Sequence, residues 1–301
     1  MPTHGGMPTQ DDLRALDRQH DFFIGLDSDG CCFDSMEIKH KECFIPQIIG
    51  YWDCQPVSKF ARQAAEFVNL YSQWRGVNRF PALLLTFDLL DAWDKVAERG
   101  WSSPEHQALR DWVAAESKLG NPALKAAAEA SGDPILALAL EWSEHINRTI
   151  EWMVHDLPPF PLVHEVLDRA GAQADMIVVS GTPGAALERE WAEHDIDQHV
   201  AVICGQEVGS KTQMLEWSAK DKYAPERVLM VGDAPGDLKA ARNNGFLFFP
   251  VNPGDEAASW RLLHDEALDR FFAGTYAGAY EEALIAEFNR LLPATPPWAA
   301  G

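Results

Sequence analysis

Two pairs of carboxylates carry type and spacing suited to chemistry. Asp27 and Asp29 are two apart at the end of the apolar run Phe22-Phe23-Ile24-Gly25-Leu26, and Asp233 and Asp237 are four apart just beyond Val228-Leu229-Met230-Val231-Gly232. Residues two apart on a strand share a face, so Asp27 and Asp29 are expected to point the same way, with Gly30 letting the chain turn sharply after them. Acids held together repel, and the repulsion is relieved by a shared proton, a divalent cation or a lysine. Lys211 opens the predicted helix 211–219 and can supply that charge, while an oxygen-only ligand set would favour Mg2+. Ser180 directly follows Ile177-Val178-Val179, where its hydroxyl and the backbone after it, at Gly181 and Thr182, could hold a phosphate oxygen. Taken one at a time, each has an ordinary alternative: an acidic turn, an acid favoured at a helix start by the dipole, a solvated lysine.

The elements that would position these residues follow from the pattern. The run 22–26 is too short for a helix and lacks polar alternation, as in a central parallel strand covered on both faces. Further strands are predicted at 176–179, 200–203, 228–231 and 246–249, with helices at 162–170, 185–194, 211–219 and 237–243 between them. Such strand-helix repeats give an α/β fold, a Rossmann-like doubly wound parallel sheet whose strand ends open onto a ligand crevice. After Ser35 the texture turns helical, with apolar spacing of three to four over 56–74, 81–98, 104–119 and 134–154, each opening near a proline. This predicts an inserted all-helical domain over 37–157, closed by Leu157-Pro158-Pro159-Phe160-Pro161. The α/β core is then 21–36 with 158–301. Residues 1–20 read as a mobile leader, 255–292 as two further helices on the core, and 293–301 as a loose end.

Composition narrows the partners. Among 301 residues, 46 Asp and Glu against 25 Lys and Arg give a formal charge of −21, which repels nucleic acid and anionic lipid. Neither a nucleic acid nor a membrane is expected as a partner, and no oligomeric state is implied. Five cysteines, an odd number in a chain this long, indicate reduced thiols, and no apolar run is long enough to span a bilayer, so a cytoplasmic protein is expected. An anionic substrate would require a local cluster of cations.

The order Asp27/Asp29, Ser180, Lys211, Asp233/Asp237 resembles all four motifs of the haloacid dehalogenase-like superfamily of phosphohydrolases, over roughly 22–35 and 162–249. The helical insertion corresponds in position to that superfamily's helical cap, though it is larger than the common short caps. The resemblance implies Asp27 as nucleophile, Asp29 as general acid and then base, and Ser180 and Lys211 as stabilisers of the transferring phosphoryl group. It implies Mg2+ held by the carboxylates of Asp27 and Asp233 and the backbone carbonyl of Asp29, with Asp237 behind. An acid at position 29 is absent from relatives that expel a halide, so phosphoryl transfer is implied rather than dehalogenation. Cys31-Cys32 departs from the family pattern and is expected to pack rather than react.

The implied activity is Mg2+-dependent hydrolysis of a small phosphorylated metabolite through an aspartyl-phosphate. Two other readings stay open: a phosphomutase of the same superfamily, and a non-catalytic binding protein on this fold. For substrate recognition, the bend Trp74-Arg75-Gly76-Val77-Asn78-Arg79 offers Arg75, Asn78 and Arg79, and Lys39 and His40 follow closely on the acidic loop. Surface pairing with Glu or Asp is the competing role for the two arginines.

Overall fold

The computed structural model describes residues 7–299. Five short apolar segments form one parallel sheet in the order β3-β2-β1-β4-β5. They are β1 (Phe22–Leu26), β2 (Ala174–Val179), β3 (Val202–Cys204), β4 (Val228–Gly232) and β5 (Leu247–Pro250). The unbroken apolar runs of β1, β4 and residues 176–179 of β2 are explained by burial on both sheet faces. The chain winds outward from β1 to β3, then crosses to the other side of β1 for β4 and β5, so the winding reverses between β1 and β4. Ligand crevices form at such a switch point, outside the carboxyl ends of the strands.

Register sets what meets there. Leu26 lies opposite Val178 of β2 and Val231 of β4, so the residues that follow all three strands emerge side by side. The helices Val163–Gly171, Gly184–Glu193, Lys211–Ala219 and Pro235–Asn243 join the strands, close to the predicted bounds. Beyond β5, Glu256–Leu262 runs on through Phe272, and Ala279–Leu291 follows. The core buries Phe23, Phe33, Trp191, Phe249 and Trp260.

The chain divides into two compact units. One is Asp156–Leu291 with the described residues up to Ser35; the other is Met36–His155 with the described residues from Leu292 onward. The second unit is helical, built on Ser58–Leu70, Arg79–Asp91, Gln107–Ala115, Asn121–Ser131 and Pro134–Met153. Arg79–Asp91 is apolar on most of its circumference and is its buried centre, with Phe80, Leu83, Phe87 and Leu90 enclosed. Asp133 caps the longest helix, its carboxylate accepting from the amides of Ile135 (2.8 Å) and Leu136 (3.2 Å). The helix Asn121–Ser131 was not expected. No helix of the described residues is long and apolar enough to cross a membrane.

Two expectations about the ends are corrected. The leader is structured over its described part: Thr9 and Asp12 form a reciprocal capping box on the helix Gln10–Arg14, and Leu13 is fully buried. Lys222 then ties the segment down, its ammonium donating to the carbonyls of Leu13 (2.9 Å) and Leu16 (3.0 Å). Residues 1–6 of that predicted leader lie outside the described residues. The described residues 293–299 are not loose and fall with the helical unit rather than the α/β unit. Trp298 stacks on Trp93 at 4.3 Å and 6° and meets the Phe67 ring edge-on at 5.6 Å, which partly buries an indole that a free tail would leave in water.

Candidate active site

Asp27 is the first residue after β1, and its amide donates to the Val231 carbonyl (3.0 Å), which continues the ladder to β4 for one more step. The residue is only 5% exposed. One carboxylate oxygen, Oδ1, accepts from the amide of Ser28 (2.8 Å); the other, Oδ2, faces the Lys211 ammonium at 2.5 Å. The same ammonium lies 2.6 Å from Asp237 Oδ1, so Lys211 bridges two buried acids. Lys211 reaches them because Ser210 caps its helix reciprocally with Gln213, fixing the first turn.

Asp237 sits in the first turn of Pro235–Asn243 and accepts through Oδ2 from the amide of Ala234 (3.0 Å), which stabilises both the turn and the negative charge. Gly232 is required here by close approach: a Cβ on it would lie 2.4 Å from Asp237 Cβ. Asp233, at 1% exposed, completes the group. Carboxylate oxygens of Asp27, Asp233 and Asp237 all lie within 4.8 Å of one another.

The electrostatics follow from burial. Loss of water pushes the Asp27 carboxyl up to about 7, the Lys211 ammonium opposing the rise and Asp237 adding to it. Burial likewise raises the Asp237 carboxyl against the pull of Lys211, with Asp233 contributing. For Lys211, burial alone would lower the ammonium; Asp237 and Asp27 outweigh it and hold it above its ordinary value. Three buried carboxylates against one ammonium leave negative charge in excess. All donors are oxygens, which fits a hard divalent cation such as Mg2+ better than a thiophilic one.

Asp29 lies at the other side of the loop. Its carboxylate accepts from the hydroxyls of Ser35 and Thr182, one on each oxygen. The loop backbone is fixed: Gly30 adopts φ 74°, its amide donates to the Phe33 carbonyl (2.8 Å), and Ser28 O accepts the amides of Cys31, Cys32 and Phe33. Cys31 and Cys32 are fully buried, and burial raises the Cys31 thiol well above its ordinary value. Both pack as expected. Ser180, 2% exposed after β2, accepts from the amide of Thr182 (3.3 Å). Gly181 beside it faces open space.

The candidates from the helical unit come out differently. Arg75 is 4% exposed and donates to the Leu70 carbonyl (3.0 Å). Asn78 caps the helix Arg79–Asp91, accepting from the Phe80 amide (3.0 Å). Arg79 donates to the carbonyl and hydroxyl of Ser143 (3.0 Å each) and to Asn147 Oδ1 (2.7 Å), over the face of Phe44. Burial lowers its guanidinium to about 10. These bonds hold Asn78 and Arg79 within their own unit. His40 is buried and stacked on Phe44 at 4.7 Å, while Lys39 next to it is half-buried. Ser35 was missed as a site residue; the signal was its place directly after the third acid of the loop, Asp34.

The three carboxylates and Lys211 gather at the switch point of a doubly wound parallel sheet. Residues 117–251 match the model of the family described as haloacid dehalogenase-like hydrolase. Solved structures with a similar course include a haloacid dehalogenase-like hydrolase from Streptococcus pneumoniae, with 13% identity, TM-score 0.42, and 81% of this chain and 91% of that one covered. A putative phosphoglycolate phosphatase from Lactobacillus delbrueckii subsp. bulgaricus has 14% identity and TM-score 0.46, with 82% and 92% covered. CbbY from Rhodobacter sphaeroides, solved with phosphate, has 13% identity and TM-score 0.45, with 78% and 87% covered. No curated protein matches the chain. The matched segment, less than half of the chain, carries Ser180, Lys211, Asp233 and Asp237, and β1 brings Asp27 beside them: over that segment the chain is similar to haloacid dehalogenase-like hydrolases.

Proposed function

We propose that the chain is an Mg2+-dependent phosphatase that hydrolyses a small phosphorylated metabolite through an aspartyl-phosphate on Asp27. The observation that carries this reading is the buried cluster of Asp27, Asp233 and Asp237 bridged by Lys211, with a second acid, Asp29, two residues after Asp27. Asp27, held through Oδ1 by the Ser28 amide, is the nucleophile. A divalent cation on Asp27, Asp233 and Asp237 would supply the positive charge that lets an anionic nucleophile meet an anionic phosphate. Lys211 and the Ser180 hydroxyl hold the equatorial phosphoryl oxygens, where charge spreads as the bond to the leaving oxygen lengthens. Asp29 gives a proton to the departing alkoxide, then takes one from the water that hydrolyses the acyl phosphate. An expelled halide would need no such acid, which favours phosphate esters as substrates.

Five buried free thiols and the acidic charge support a protein of a reducing, cytoplasmic setting. The test is a panel of phosphate esters with and without Mg2+, run beside Asp27→Asn. Turnover that requires the cation and falls more than about a thousandfold in the variant is expected, a barrier increase of about 4 kcal/mol. A variant within about tenfold of the parent would remove Asp27 as nucleophile.

A further inference from the structure

Arg79 forms no ion pair with any described residue, although the chain carries 46 Asp and Glu. Its hydrogen bonds all leave from Nη1 and end on neutral oxygens: the Ser143 carbonyl and hydroxyl (3.0 Å each) and Asn147 Oδ1 (2.7 Å). Nε and Nη2, an edge that can grip two oxygens of a phosphate or carboxylate, take no partner among the described residues. The guanidinium lies 5.0 Å from the centre of the Phe44 ring, which eases withdrawal of the charge from water but supplies no negative one. Two helix starts add to the positive charge. Arg79 is the first residue of the helix Arg79–Asp91, and Asn121 is the first of Asn121–Ser131, which begins after Gly120 with no capping side chain. Ser143 Oγ donates to Asn121 Oδ1 (2.6 Å) while accepting from Arg79, and Asn78 Nδ2 donates to the Leu119 carbonyl (3.3 Å). The positive ends of both helices are therefore tied beside the guanidinium.

We propose that Arg79, with Asn121 and the starts of these two helices, forms an anion site of the helical unit that takes a phosphate or carboxylate group. A cation drawn from water beside two positive helix ends is costly, and neutral oxygens offset that cost only in part; an oxyanion supplies the rest. Other arginines of this acidic chain pair with a carboxylate, as Arg110 does with Asp88 and Arg270 with Glu266. Arg79 instead meets a hydroxyl, a carbonyl and an amide, groups that hold it in place without cancelling its charge. The planar fork suits an anion with two oxygens to offer better than a spherical halide. Such a group arrives either as part of a substrate or as a free phosphate, and the chemistry of recognition is the same. Every residue invoked belongs to the helical unit, so the inference goes beyond the phosphatase reading and does not rest on it.

Inorganic phosphate is the probe. The full chain, treated with a chelator, is titrated with phosphate by calorimetry as the parent, Arg79→Met, Asn147→Asp and Ser180→Ala. Asn147→Asp puts a carboxylate where the amide oxygen now accepts from Arg79, so it neutralises the guanidinium from within and keeps the bond between the helices. Phosphate affinity is expected to fall about tenfold or more in Arg79→Met and in Asn147→Asp, and to hold its parental value in Ser180→Ala. If Arg79→Met does not fold, Asn147→Asp, expected to melt no lower than the parent, carries the test. No phosphate binding by the parent, affinity unchanged in Asn147→Asp, or binding lost in Ser180→Ala overturns the site. The source of the anion is read from kcat/KM for 3-phosphoglycerate and glycerol 3-phosphate, which differ by a carboxylate, in Mg2+-loaded parent and Asn147→Asp. A ratio that falls about tenfold in the variant assigns the site to a carboxylate of the substrate. A parental ratio with phosphate affinity lost assigns it to a free phosphate. A parent that hydrolyses neither ester counts against the phosphatase reading alone, and the titration still decides the site.

Discussion

Replacing Lys211 with methionine removes the cation between two buried acids, and its cost should depend on pH in a defined direction. In the parent the Asp27 carboxyl is pushed up to about 7 even with the ammonium 2.5 Å away. Without that ammonium the carboxyl holds its proton to higher pH. Above pH 7 the folded variant then carries a proton that the folded parent has released, while both unfolded chains have lost it. Stability falls with pH wherever the folded state binds more protons, so the variant declines more steeply than the parent. At 1.36 kcal/mol per pH unit, the extra penalty reaches about 2.7 kcal/mol two units above that midpoint. It approaches the 3–5 kcal/mol typical of breaking a buried pair. At pH 5.5 Asp27 is protonated in both folded proteins and contributes almost no difference. The assay is urea unfolding of chelator-treated parent and Lys211→Met at pH 5.5 and pH 9. A penalty equal at the two pH values, or larger at pH 5.5, would refute the reasoning.

Gly232→Ala places a methyl 2.4 Å from Asp237 Cβ, which the first turn of its helix holds in place; a thermal melt should show a loss of about 1–3 kcal/mol, with weakened cation binding. Asp175 takes hydrogen bonds from Tyr223 (2.6 Å) and the amides of Gln19 (2.9 Å) and His20 (3.0 Å). Burial works to raise this carboxyl, but those bonds outweigh it and leave it below its ordinary value. Its stabilisation is therefore present above the ordinary carboxylate range and lost as pH falls through the lowered value. Asp175→Asn should cost about 2 kcal/mol at pH 7 and progressively less as the pH is lowered below the ordinary carboxylate range, with faster amide exchange over residues 13–20. Mg2+ binding must displace the proton that Asp27 holds below about 7, so affinity should rise from pH 5.5 to pH 7.5 with proton release, read by calorimetry in buffers of different ionisation heat.

The strand ends were legible because the apolar runs of β1 and β4 stop at Asp27 and at Gly232-Asp233, and parallel winding requires such ends to adjoin. Lys211 was legible as the compensating charge that two neighbouring acids demand. The partners of Asp29 were not, since a bond between Thr182 and Asp29 depends on the register of β1 against β2, which spacing does not specify. Composition does not tell an inward guanidinium from an outward one: Arg79 turns to the Ser143 carbonyl, a use of arginine that leaves no charge pattern. The helix Asn121–Ser131 escaped because its many alanines give no apolar stripe. Its proline near the start and Gly132 at φ 68° beyond its end were the available signals. At the chain ends, Thr9-x-x-Asp12 was a readable capping box, whereas Trp298 found its partner Trp93 only through tertiary contact.

The proposed covalent intermediate offers the most direct measurement. Mg2+-loaded protein mixed with a 32P-labelled phosphate ester is quenched in acid within a turnover, digested, and the labelled peptide identified by mass spectrometry. A hydroxylamine-sensitive label on Asp27, absent from Asp27→Asn, is the expected result. Steady turnover with the label on another residue, or with Asp27→Asn labelled as fully as the parent, would contradict it.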